Sequence, residues 1–343
     1  MNIDIRTFVL VLGITHLIQV AVFYQQYKTN KNYQGVGWWL LWSIAEIVGF
    51  AGILLRGIPS IHLIAMTIQN SGIFLGTIFV YIGVMRFLDK KVNPKIIFSV
   101  STFFILAIVY FVYVDDNAFM RYVIFNAAVA GTSLSTAYVL FVYKMPSITT
   151  SAHFNAAVSL VHGGVFTYRT VMFLSGAPVD DFFRPTLFNY LPVLDALIVS
   201  LLWTFGFIIM LNQRLNAEMT EAKEALQESG ERFRRLSNAT WEGIIIHREG
   251  AIMDANESAS KILGYPIEEI IGKNILTFIA PESIESTIRK LREGTTHDQL
   301  YLELNAIRKD KTIFPAEALG RPIRYNNIDA RVLAFRDITQ RKQ

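Results

Sequence analysis

Residues 212–236, NQRLNAEMTEAKEALQESGERFRRL, divide this chain: the sequence before them is apolar enough for a membrane, and the sequence after them reads as a compact soluble domain. Leu215, Met219, Ala222, Leu226, Ser229, Phe233 and Leu236 recur at alternating gaps of four and three, the heptad spacing of a helical seam, with Glu and Lys on the flanks. The phase extends back to Ile208 in the last apolar segment. A helix in this register can carry a small rotation or piston shift from one side to the other, with Met219, Leu226 and Phe233 as relay positions. It can equally serve as a spacer that keeps the domain clear of lipid. Ser229 and Gly230 weaken the seam.

Of the 343 residues, 52% are hydrophobic and only 17% charged, a composition that predicts a membrane protein. Charged residues are scarce before residue 212 and dense after it, which divides the chain into at least two domains. A net charge of +4 gives no basic face for direct nucleic-acid binding. With no Cys, disulfides, thiolate metal sites and thiol catalysis are excluded. The first apolar run ends in Tyr24-Gln25-Gln26 without a small-residue cleavage site, so no cleavable signal peptide is expected.

Seven apolar segments lie at 5–24, 37–55, 62–88, 95–114, 118–143, 152–174 and 186–211, each near the roughly 20 residues that span a hydrocarbon core. Lys occurs only in alternate loops, as Lys28 and Lys31, then Lys90, Lys91 and Lys95, then Lys144. By the positive-inside bias the N-terminus is outside, and the connector with its soluble domain is cytoplasmic, in a multi-pass protein of the inner (plasma) membrane. Trp38, Trp39 and Trp42, opening the second segment, read as an interfacial anchor.

Polar side chains inside such segments are costly unless they pair or face a polar cavity. At about 1.5 Å per residue, His16, Glu46, Gln69, Asn70, Asn126, His162, Arg169 and Asp195 all fall in the outer half, and the inner half holds mainly Ser and Thr. They predict an outward-opening ligand cavity in which Glu46 and Asp195 meet Arg169 or His162, or else a hydrogen-bonded network that fixes helix packing. A retinal protein is excluded, because the seventh segment carries no Lys for a Schiff base. No two segments resemble inverted repeats of a transporter.

Beyond residue 231 two short strands, Gly243–His247 and Ala251–Met253, flank a turn at Glu249-Gly250. A helix follows, capped by Asn256 and ended by Gly264, and then strands at 300–307, 312–324 and 330–335. Phe233-Arg-Arg-Leu236, Gly243-Ile-Ile, Asp254-Ala-Asn256, Leu263-Gly-Tyr265, Ile271-Gly272, Arg308-Lys-Asp310 and the closing Arg336-Asp-Ile-Thr339 together resemble a PAS domain of the sensory type. The first turn is one residue short of that pattern, and Lys311 stands where the family usually has Gly.

The resemblance implies a domain that senses, dimerises or relays, with Asp337 and Thr339 coupling the last strand to an output. Flavin photosensors of the family need a Cys near the region corresponding to 271–279, and oxygen-sensing haem members a His on the helix corresponding to 282–292; both are lacking. His297 lies past that helix, and His247 ends the first strand. No cofactor is predicted, and the domain is expected to be an unliganded relay or to bind a small metabolite. No phosphoacceptor His box, ATP-binding Gly-rich segment or GG[DE]EF-type motif is present, so no enzyme activity is expected.

The expected fold is thus multi-domain: an all-α seven-helix transmembrane sensor bundle (1–211), a helical coiled-coil connector (212–236) and a cytoplasmic α+β PAS domain with an antiparallel sheet (237–343). This resembles the input halves of membrane sensor histidine kinases and diguanylate cyclases of two-component and related signal transduction. The output is expected from a domain that has been lost or removed, or from a separate kinase, cyclase or transcription regulator. The connector stripe predicts a parallel homodimer; alternatively Phe233 and Leu236 fold back on their own sheet. A rival function is a passive membrane anchor for a PAS sensor or docking module.

Overall fold

The computed structural model describes residues 4–179, 182–184, 186–239, 241–293 and 300–342. Asp180, Asp181 and His297 lie outside the described residues, as do the side chains of Phe233 and Leu236. The chain divides into two compact units, Met1–Met219 and Thr220–Gln343. That division falls inside the stretch 212–236.

Among the described residues, seven helices are long and apolar enough to cross a membrane, six of them in the first unit and the seventh beginning there: α1 (Ile5–Thr29), α2 (Val36–Leu55), α3 (His62–Phe87), α4 (Pro94–Tyr113), α5 (Ala118–Val142), α6 (Thr149–Leu174) and α7 (Leu187–Ala239). Local chemistry sets their starts. Asp4 accepts the Arg6 N–H at 3.0 Å, Asn117 accepts the Met120 N–H at 3.1 Å, and Asn93 caps α4 with Pro94 in its first turn. The outward faces remain apolar: on α4 Phe98, Phe103 and Leu106 are exposed while Phe104, Ile108 and Val112 pack inward. Helices α2 and α3 approach closely where Gly49 meets Gly72; a Cβ added at Gly72 would lie 2.8 Å from the Gly49 nitrogen.

Two tryptophans expected at the interface belong to the core instead. Trp39 and Trp42 are fully buried, Trp39 stacked on Phe207 with ring centres 4.5 Å apart and Trp42 edge-on to Trp203 at 5.5 Å. Trp38 packs on Phe79 at 5.8 Å. The reason is rotation: residues 39 and 42 share the face of α2 turned toward α7, and burying two indoles there gains more than leaving them at a boundary.

Helix α7 continues unbroken from Leu187 to Ala239, through Pro192, Ser229 and Gly230. Its first polar turn is not an isolated spacer, because Leu215 packs against the aromatic and aliphatic core of the first unit. The first member of the stripe therefore has a partner within its own chain. Met219 and Leu226 are 68% and 75% exposed.

The second unit is a five-stranded antiparallel sheet in the order β2-β1-β5-β4-β3, with β1 Gly243–Arg248, β2 Ala251–Ala255, β3 Leu300–Ile307, β4 Ile313–Tyr325 and β5 Ile328–Asp337. Glu249 and Gly250 turn the first hairpin with φ of 50° and 90°. Asn256 caps α8 (Glu257–Leu263), its Oδ1 accepting the Ala259 and Ile244 N–H groups at 2.8 Å each, and Gly264 ends it at φ 74°. Lys311 adopts φ 69°, the left-handed conformation that Gly takes without strain, at a cost on the order of 1 kcal/mol. Ile245, Leu263, Phe278, Phe314 and Phe335 join in its core.

Candidate functional site

Within the first unit, His16, Glu46, Asn70, Asn126, His162 and Arg169 line one cavity of about 90 Å³. Gln69, Asn70, Tyr122 and Phe182 also line an adjoining cavity of about 210 Å³, nearer the loops that end α2 and begin α5. Each wall residue is placed by its depth on a helix. Arg169 lies five residues inside the end of α6, about 7.5 Å in; Glu46 lies nine residues inside the end of α2, about 13.5 Å in; His16 lies deeper still on α1. Trp42 and Trp203 close the far side.

The charged groups fall into three arrangements. Asp195 accepts from the His162 ring at 2.5 Å (Oδ2 to Nδ1), and both side chains are buried, so Asp195 reaches the cavity through His162. Arg169 donates from Nε to Asn126 Oδ1 at 3.2 Å and from Nη1 to the Phe188 carbonyl, with its guanidinium 4.3 Å from the Phe188 ring centre. Gly76 leaves room for the Glu46 carboxylate, since a Cβ there would lie 2.7 Å from Glu46 Oε1. The expected meeting of Glu46 with Arg169 does not occur: depth along a helix is readable from sequence, but the rotation that turns one side chain toward another is not.

The amides are mostly held by their own helices. Asn70 donates to the Met66 carbonyl at 2.7 Å and Asn126 to the Tyr122 carbonyl at 2.6 Å, while Gln69 accepts from Arg56 at 3.3 Å. Nδ1 of His16, in a ring packed edge-on to Trp42 and tilted against Phe50, is buried without a hydrogen-bond partner.

Two features escaped the sequence reading. Gln19 on α1 donates to the Ser200 carbonyl at 3.1 Å, and Asn155 on α6 is wholly buried; both were legible as amides in apolar segments. The other is a cluster where the apolar run of α7 ends. Arg214 binds Asp89 at 2.8 Å, Glu218 at 3.0 Å and the Phe87 carbonyl, lies over the rings of Tyr33 and Phe87 at 5.1 and 5.3 Å, and shares Glu218 with the Tyr33 hydroxyl at 2.5 Å. Its members come from three separate parts of the sequence, so no local pattern announces it.

The second unit encloses a cavity of about 190 Å³ between sheet and helices, apolar except for His247, Thr287 and Arg331. Thr287 is turned to its own helix, donating to the Ser283 carbonyl at 2.6 Å. His247 and Arg331 are register partners on β1 and β5, and burial first, with the Arg331 charge second, pushes the His247 pKa down. At the end of β5, Asp337 accepts both the N–H and O–H of Thr339 (2.8 and 2.5 Å) and a guanidinium N–H of Arg308 (2.5 Å). Burial alone would raise the Asp337 carboxyl; these donors outweigh it and hold the group below its usual range.

Residues 242–340 match the family described as PAS domain, and with the sheet order above they form one. Among curated proteins, the chain is similar to a methyl sulfide methyltransferase-associated sensor of Methanosarcina acetivorans, 30% identical over 128 residues, which are 37% of this chain and 13% of that protein. It is also similar to an uncharacterized signaling protein of Caulobacter vibrioides, 32% identical over 120 residues, 33% of this chain and 14% of the other. The matches thus span about one seventh of either relative. Among solved structures, the PAS domain of an HTR-like protein from Haloarcula marismortui aligns at 22% identity and a TM-score of 0.32, over 35% of this chain and 99% of that one. A PAS domain from Colwellia psychrerythraea aligns at 21% and 0.30, over 32% and 97%. The chain thus contains a PAS domain and is similar to two relatives named for sensing and signalling.

Proposed function

We infer that the protein is a multi-pass sensor of the plasma membrane, with its N-terminus outside and its PAS domain in the cytoplasm, in which the seven-helix unit receives a stimulus and α7 passes it to the PAS domain. The observation that carries this reading is the continuity of α7. One helix bears Asp195 beside the polar cavity, Arg214 in the cluster at the end of the apolar run, and the exposed Met219 and Leu226 beyond it. A shift of α7 at Asp195 therefore has an unbroken path to the connector, and Asp337 and Thr339 are the exit from the PAS sheet. The protein has no enzymatic activity in this reading. It acts as a homodimer on an output partner, a kinase, cyclase or transcription regulator, and its PAS cavity is empty or holds a small metabolite, without flavin, haem or metal.

A second reading makes the helices a passive anchor and the PAS domain the sensor or docking module. It is favoured by the larger, mostly apolar PAS cavity. Replacing residues 1–211 with a plain two-helix anchor separates the two. Loss of the stimulus response with the PAS domain still folded is the expected result; an unchanged response overturns the seven-helix input.

A further inference from the structure

Glu46 and Arg169 are 7% and 2% exposed, line the same cavity, and among the described residues neither has an opposite charge within 4.0 Å. A buried charge without a counter-charge is costly, more so in a segment that crosses lipid. When ionised, the two carry opposite signs. Their depths on α2 and α6 differ by about 6 Å along the helix axes. Both charges can therefore be compensated at once by one small molecule that carries a carboxylate at one end and an ammonium at the other.

We propose that the cavity binds a small zwitterion of the α-amino-acid type, its carboxylate toward Arg169 and its ammonium toward Glu46. Arg169 is oriented for this by Asn126 and the Phe188 carbonyl, which hold its guanidinium without neutralising it. The cavity wall is largely aromatic, with Trp42, Phe50, Phe166 and Trp203 in the lining, a setting that favours an organic cation over a hydrated metal ion. The unpartnered His16 Nδ1 supplies a further polar contact at the deep end. Size limits the ligand. A cavity of about 90 Å³ is smaller than the roughly 150 Å³ that hold the six carbons of benzene, so about four non-hydrogen atoms fit within it and the remainder of a glycine- or alanine-sized ligand extends into the adjoining 210 Å³. The order of charges also fits approach from the loop end, where Arg56 and the Asp116-paired Arg121 line the adjoining cavity.

This assignment rests on the seven-helix unit being the input, and it is tested without any signalling readout. The full chain in lipid nanodiscs is titrated calorimetrically with glycine, alanine and N-methylglycine, and separately with acetate and methylammonium, which each carry one of the two charges. At least one zwitterion binds, tenfold or more tighter than either singly charged probe, and Glu46→Gln and Arg169→Gln each weaken it tenfold or more. The inference is overturned if no zwitterion binds with a Kd below about 10 mM, or if acetate or methylammonium binds as tightly as the zwitterion. It is also overturned if both variants bind as the parent does. A bound zwitterion together with an unchanged response in the anchor replacement would overturn the input reading while leaving the site itself standing.

Discussion

Arg214 and Asp89 are joined at 2.8 Å across 125 residues of sequence, tying the end of the apolar part of α7 to the loop that follows α3. Asp89 is largely exposed, so the ion pair alone is worth under about 1 kcal/mol. Arg214 does more: it also satisfies the Phe87 carbonyl and covers the Tyr33 and Phe87 rings. Arg214→Gln is therefore expected to loosen residues 210–219 and to cost about 1–3 kcal/mol, whereas Asp89→Asn costs less than about 1 kcal/mol. Amide hydrogen exchange across 210–219 checks the first, and thermal unfolding in detergent compares the two. Equal protection in the parent and Arg214→Gln would remove the cluster as a restraint on α7.

The buried His162–Asp195 pair predicts strong coupling between two helices. Removing one partner leaves the other buried with its hydrogen bond unmet, so Asp195→Ala and His162→Ala are each expected to cost about 1–3 kcal/mol while membrane insertion persists. The double variant should cost at least about 1 kcal/mol less than the sum of the singles. Strict additivity in a double-mutant cycle of unfolding free energies would show that the two side chains do not interact.

The exposed stripe predicts a second copy. Since Leu215 is already packed in its own chain, pairing begins beyond it, at Met219 and Leu226. Met219→Glu with Leu226→Glu is expected to convert a dimer to a monomer in light scattering, and a single Cys at either position should cross-link under oxidising conditions in a chain with no Cys of its own. Failure to cross-link at both sites would rule out the paired connector.

His247 predicts a pH dependence of the PAS unit. Its pKa in the fold lies below the ordinary 6.5, so between that lowered value and 6.5 the unfolded chain binds more protons than the folded one. The stabilising contribution is complete above about pH 6.5 and is lost as pH falls toward the lowered value. Denaturant unfolding of the PAS unit in the full chain, followed from pH 8 to 5, should show this loss, and His247→Gln should reduce it. An identical pH profile in the variant would assign the effect elsewhere.

Segments and caps in this protein were legible because they depend on neighbours a few residues away. Asn256 and Gly264 bound α8, Gly250 turns the first hairpin, and the helices begin at Asn93 and Asn117 for reasons each short stretch carries by itself. The depth of the polar residues was equally local, since rise per residue is fixed.

What the sequence by itself determined is therefore the seven apolar helices, the heptad stripe on α7, the antiparallel sheet of a PAS domain, and which residues occupy which level of the bundle. Only the tertiary structure decided who meets whom. It turned Trp39 and Trp42 inward against Phe207 and Trp203, gave Asp195 to His162, left Glu46 and Arg169 apart in one cavity, and brought Tyr33, Asp89, Arg214 and Glu218 together. The physical reason is that a helix fixes the height of a side chain through its own backbone hydrogen bonds, whereas its direction toward other helices depends on rotation about the axis. That rotation is set by packing between segments far apart in the chain.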